Sequence, residues 1–134
     1  MIDIESDIFG EVASAVLKTF PGAFVTDEYL PVPPAFPCVM VIEMSNTTHE
    51  ETTSSAGIEN HAVVMYEVNV FSNSISSKKQ ECKAIAGLVS DVFARMGFAR
   101  TMHNPLPNMA DATIYRITSR YTGLVSQRHV IYRR

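Results

Sequence analysis

The stretch His61–Ser72, HAVVMYEVNVFS, alternates in hydropathy with a period of two. Ala62, Val64, Tyr66, Val68 and Val70 fall on one side, and Met65, Glu67, Asn69 and Phe71 on the other. An extended chain sends successive side chains to opposite faces, so this pattern predicts a strand with one strongly apolar face. It is long enough to pair on both sides at the centre of a sheet. The apolar face then has to be covered by other parts of the chain.

Two segments carry the helical period that could supply that cover. Ile4, Ile8, Val12, Val16 and Phe20, joined by Phe9 and Ala13, make one stripe over about 3–20; Asp3 is placed to cap this helix and Pro21-Gly22 to stop it. Acidic residues crowd its first turn and Lys18 lies in its last, as the helix dipole favours. Cys82, Ile85, Ala86, Val89, Val92, Phe93 and Met96 repeat at three and four over about 77–96, with Ser77 and Gln80 spaced as a capping box and Gly97 as the stop.

The remaining segments predict further strands. Cys38, Met40, Ile42 and Met44 alternate with Val39, Val41 and Glu43 over about 38–45, and a short strand is expected near Phe24–Thr26. Pro31, Pro33 and Pro34 make the intervening stretch an extended, stiff connector. Strands are expected over about 98–103, 112–122 and 128–133, with Asn104-Pro105-Leu106-Pro107-Asn108 read as a turn. Residues 46–57, NTTHEETTSSAG, hold almost no large apolar side chain and predict a mobile polar loop; a loop this long in a compact domain is often functional. The expected fold is α+β: a mostly antiparallel sheet of four to six strands packed by two helices, in a single domain spanning 1–134.

The chemistry is sparse. His49, His61, His103 and His129 show no metal-ligand spacing, so no metal and no cofactor is expected. Glu43, Glu59, Glu67 and Asp111 would need to converge to serve a metal-dependent nuclease, which spacing cannot establish. No nucleophile elbow or phosphate loop occurs, so no catalytic residue is assigned. Cys38 and Cys82 stand far apart on apolar positions and are expected to be buried, reduced thiols in a cytosolic setting. The acidic N-terminus is unlike a signal peptide, and no uncharged apolar run reaches the 18 or so residues of a membrane helix.

A net charge of -3 disfavours binding nucleic acid through bulk field. Arg116 and Arg120 nevertheless share one face of their strand with Ile114, Thr118 and Thr122, and with Arg128, Arg133 and Arg134 could form a strip for phosphates; a solvated face, or pairing with Glu43 and Glu67 on neighbouring strands, is the expected arrangement. The pattern predicts an outward surface that mixes Val39, Val41, Met65 and Phe71 with Glu43, Glu67, Asn69 and Arg116, and a half-apolar face must be covered. The candidate partner interface is therefore Thr48, His49, Glu50, Glu51 and Thr52 in the loop, with Glu67, Asn69, Arg116 and Arg120 on the sheet.

Several pieces of the chain resemble a known family. These are Ile58-Glu59-Asn60-His61, Met65 to Val70, Ser72-Asn73, Lys78-Lys79, Glu81-Cys82-Lys83, Gly97-Phe98, Arg100-Thr101, Asn104-Pro105, Pro107-Asn108 and Asp111 to Arg116, together spanning about 58–121. They are similar to tail terminator, or tail-completion, proteins of long-tailed phages and prophages of Gram-positive bacteria. The resemblance implies a non-enzymatic structural subunit, a homohexameric ring that caps the tail tube and joins it to the head. Implied partners are further copies of itself, the tail tube protein and a head–tail connector protein, with DNA only passing through the ring and no membrane involved. It also implies assembly in the host cytoplasm followed by residence in the virion. A head-completion or neck subunit is the alternative of the same kind, and a small metal-dependent nuclease the alternative of another.

Overall fold

The structure, a computed structural model, describes residues 1–48, 61–107, 111–127, 129 and 131–132. The elements run α1 (Glu5–Thr19), β1 (Phe24–Thr26), β2 (Cys38–Thr48), β3 (His61–Ser72), α2 (Lys78–Met96), β4 (Ala99–Pro107), β5 (Tyr115–Ser126) and β6 (Ile131–Tyr132). They form the expected α+β arrangement, a sheet in the order β1-β2-β3-β5-β4 with β6 also paired to β5. Every pairing is antiparallel except β1 with β2, which is parallel.

β3 is central, as its length allows, between β2 and β5. Its apolar side, Ala62, Val64, Tyr66, Val68 and Val70, is fully buried against Ile8, Val12 and Val16 of α1 and Ile85, Val89 and Phe93 of α2. Burying a large aliphatic or aromatic side chain stabilises by about 1.5–3 kcal/mol, so this layer dominates the fold. Within it the rings of Phe93 and Tyr121 stack at 4.2 Å, and Phe98 meets Phe93 edge-on at 5.2 Å.

A second, smaller apolar cluster lies on the opposite face, where Cys38, Met40 and Phe71 are buried beneath Leu30 and Phe36 of the proline-rich connector. The connector therefore lies across one end of the sheet. This overturns one expectation: Val39 and Val41 point inward to the helices, and Cys38 and Met40 occupy the other face. Both sides of that half of β2 are apolar and buried, so alternation alone could not say which side met the helices.

Other boundaries shift for identifiable reasons. β2 continues through Asn46, Thr47 and Thr48, whose polar composition predicts loop; these residues pair with Val64, Val63 and Ala62. Asn104 to Pro107 form no turn but pair with Thr118 to Tyr115. β4 is an outer strand, where proline's missing donor is tolerated. β5 begins only at Tyr115, because Asp111 holds a turn by accepting the Thr113 N–H at 2.9 Å and its hydroxyl at 2.6 Å.

Neither expected helix cap forms as drawn. α1 starts at Glu5, whose N–H donates to Asp3 Oδ1 at 3.1 Å, while Ile4 takes the cap position with its side chain buried. Ser77 precedes α2 without a side-chain capping bond; its hydroxyl lies 3.0 Å from that of Ser74, and Glu81 instead accepts the Ser72 hydroxyl at 2.6 Å. The stop is as expected, with Gly97 at φ 97°, a left-handed conformation that favours glycine. No helix among the described residues is long and apolar enough to cross a membrane.

Candidate functional site: the open face of the sheet

Beyond the connector, the face of the sheet away from the helices carries a polar strip. Register places Glu67 opposite Arg120, Asn69 opposite Thr118 and Phe71 opposite Arg116, so these side chains share one face. Arg120 Nε donates to Glu67 Oε2 at 2.9 Å, and Asn69 Nδ2 donates to Glu67 Oε1 at 3.1 Å. Asn69 Oδ1 in turn accepts from Arg116 Nε at 3.0 Å, Arg116 Nη2 at 2.7 Å and Thr118 Oγ1 at 2.6 Å. The Arg116 guanidinium lies 5.3 Å from the centre of the Phe71 ring, a cation–π distance.

Connected polar groups of this kind hold one another in fixed rotamers, so the strip is preorganised. Asn69 and Thr118 are buried, while Glu67, Arg116 and Arg120 are half-exposed. Around them stand Ile42, Met65 and Met102, partly exposed, and Leu106, exposed at the outer strand. Register puts all four on the same face: Ile42 pairs with Glu67, Met65 with Thr122, Met102 with Arg120 and Leu106 with Arg116. Arginine and methionine are enriched at protein–protein interfaces, and this face presents Arg116 and Arg120 beside Met65 and Met102.

Four sheet candidates, Glu67, Asn69, Arg116 and Arg120, thus come together as one network. Thr48 does not join them: register places it beside Ala62, on the helix side and at the far end of β2. His49, Glu50, Glu51 and Thr52 lie outside the described residues. Thr118, Met102 and Leu106 belong to the surface without being among the candidates read from the sequence. Thr118 had a signal, since it lies midway between Arg116 and Arg120 with the same parity, whereas β4's contribution required knowing its register.

Glu43 is on the wrong side of the sheet for the expected pairing with arginine. It faces the helices, and its Oε1 accepts the Tyr66 hydroxyl at 3.0 Å. Burial holds its carboxyl above the ordinary carboxylate value, opposed by the Tyr66 hydrogen bond and reinforced by Glu5 and Asp3. The register irregularity between Glu43 and Ser45 then reverses the parity of the rest of β2. Glu43 and Glu67 lie on opposite faces of the sheet, and Asp111 is engaged with Thr113 in the turn before β5, so these three carboxylates do not converge; Glu59 lies outside the described residues. No group of three metal-binding side chains gathers among the described residues.

Comparison with solved structures finds a likeness of fold. A chain of the structure described as "Virion of native gene transfer agent (GTA) particle" superposes with a TM-score of 0.64, covering 89% of this chain and 91% of that one at 19% identity. No family model matches the sequence, and no curated protein matches it.

Proposed function

We propose that the chain is a structural subunit of a phage-type virion, a tail terminator that closes into a ring on the tail tube and joins it to the head. The observation that carries this reading is the near full-length likeness of fold to a chain of a gene transfer agent virion. The open sheet face supports it independently, because its fixed strip holds Arg116 and Arg120 beside Met65 and Met102, residue types enriched at protein interfaces. The role is mechanical and not catalytic. The partners are further copies of the chain, the tail tube protein and a head–tail connector protein, with DNA passing through the opening and no membrane. Assembly would occur in the host cytoplasm and the subunit would remain in the virion.

Native mass spectrometry of the purified chain, alone and with assembled tail tubes, tests this. The expected species is a homohexamer, six times the 14.8 kDa chain mass, which electron microscopy should show as a ring at one tube end. A chain that stays monomeric in both conditions rules the reading out. Capture by the head-side connector with no affinity for tubes would instead favour a head-completion subunit.

A further inference from the structure

We infer that the open sheet face of one subunit seats the exposed side of α1 from the next copy of the chain. The inference rests on the ring proposed above and identifies which surfaces make it.

The first observation is a difference in charge between the first helix and the open face of the sheet. Every arginine of the chain stands at Arg95 or later, whereas the first helix and its lead-in carry Asp3, Glu5, Asp7 and Glu11 against the single base Lys18. α1 packs on the helix-covered side of the sheet, with Ile8, Val12 and Val16 inward. Asp3, Asp7 and Glu11 are exposed on its outer side. Arg116 and Arg120 lie on the opposite side of the sheet. α2, on the same side as α1, carries Lys78, Lys79, Lys83 and Arg95 against Glu81 and Asp91, and Asp7 lies 3.7 Å from His129, so the acidic surface is that of α1 itself, set against a basic front.

Among the described residues the front is not neutralised from within. Arg120 is matched by Glu67, but both bonds from Arg116 end on the uncharged Asn69 amide, so two guanidiniums face one carboxylate. An acidic helix surface supplies the missing charge, and α1 also offers Leu17, 41% exposed, toward the apolar surround. Complementary potentials of this kind select partner and register more than they add affinity.

Nucleic acid fits this surface less well. Glu67 stands between Asn69 and Arg120 and would repel a phosphate, the net charge is -3, and Ile42, Met65, Met102 and Leu106 offer a phosphate backbone nothing. A standard interface takes about 800 Å² from each partner, roughly a tenth of this chain's 7568 Å² surface, so the front and the α1 surface can both be engaged at once. Because they are different surfaces, their contact is heterologous and repeats around an axis, closing into a ring when the rotation allows.

The test places the photo-crosslinking amino acid benzoylphenylalanine at exposed Leu106, in a mixture of isotopically light and heavy chains, so that a light–heavy cross-link identifies contact between copies. Irradiation of assembled rings is expected to join position 106 to a peptide from α1 of another copy. A second arm uses Glu11→Lys, an exposed helix position where the fold tolerates change; the concentration needed for ring formation should rise at least about tenfold, as removal of an interface charge pair predicts. Cross-links from position 106 to another sheet face, or rings unaffected by Glu11→Lys, overturn the inference while leaving the ring itself standing. Capture of added duplex DNA by the benzoylphenylalanine also overturns it. A parent chain that never assembles, with or without tubes, defeats the functional reading instead.

Discussion

The ring of Phe98 lies directly over Gly123: a Cβ built at Gly123 would stand 2.9 Å from Phe98 Cδ2 and Cε2. The glycine is therefore the floor on which the β4 lead-in rests, and it lets Phe98 reach Tyr66 and Phe93 in the aromatic core. Gly123→Ala must displace that ring. The expected cost is about 1–3 kcal/mol, the range for overpacking a core, read as a lower urea midpoint with unchanged slope. An unchanged midpoint would mean that the Phe98 ring moves aside freely.

Tyr66 and Glu43 make a pH-dependent pair on the helix side. Burial raises the Glu43 carboxyl above its ordinary value, and the Tyr66 hydroxyl opposes that rise by donating to it. Tyr66→Phe removes the donor, so the folded-state value should climb further. A carboxyl raised above its unfolded value favours the folded state when protonated; that contribution is complete below the unfolded value and is lost as pH rises through the folded one. Tyr66→Phe should therefore cost about 1 kcal/mol near neutral pH and progressively less in acid. Thermal melts across the acidic range check the sign, and a penalty that grows on acidification would contradict it.

Asn69 is the hub of the open face, accepting three bonds while 1% exposed. Asn69→Ala leaves the Arg116 guanidinium and the Thr118 hydroxyl without that acceptor, at roughly 2 kcal/mol. Adding Arg116→Met should cost much less than in the parent background, because the stranded donor is then gone. Strict additivity in this double-mutant cycle would show that the two side chains are not coupled.

Cys38 and Cys82 are free, buried and on opposite sides of the sheet. Burial pushes the Cys38 thiol up to about 11 and the Cys82 thiol, with help from Glu81, up to about 12. Thiolate is the reactive form. Neither should be labelled by iodoacetamide in the folded protein at mildly alkaline pH, and both should react once denaturant is added. Rapid labelling of the native chain would refute this.

Local periodicity made much of the scaffold legible in advance. Cys82, Ile85, Ala86, Val89, Val92 and Phe93 are buried as their spacing requires, and so are Ala62 to Val70 on alternate positions of β3. Helical and extended backbones impose their periods within a few residues, so neighbouring side chains carry the information. The shared parity of Arg116, Thr118 and Arg120 was legible for the same reason.

Only the tertiary structure decided how those elements were set against one another. The placement of Val39 and Val41 beneath the helices, the turning of Glu43 away from Arg116, the extension of β4 through Pro105 and the gathering of Glu67, Asn69, Arg116 and Arg120 into one network all follow from strand register. Register is set by contacts between residues such as Asn69 and Arg116, 47 positions apart, and by the bulge between Glu43 and Ser45. A shift of one residue in pairing sends every later side chain to the other face of the sheet, so a local pattern can fix what a strand offers without fixing what it meets.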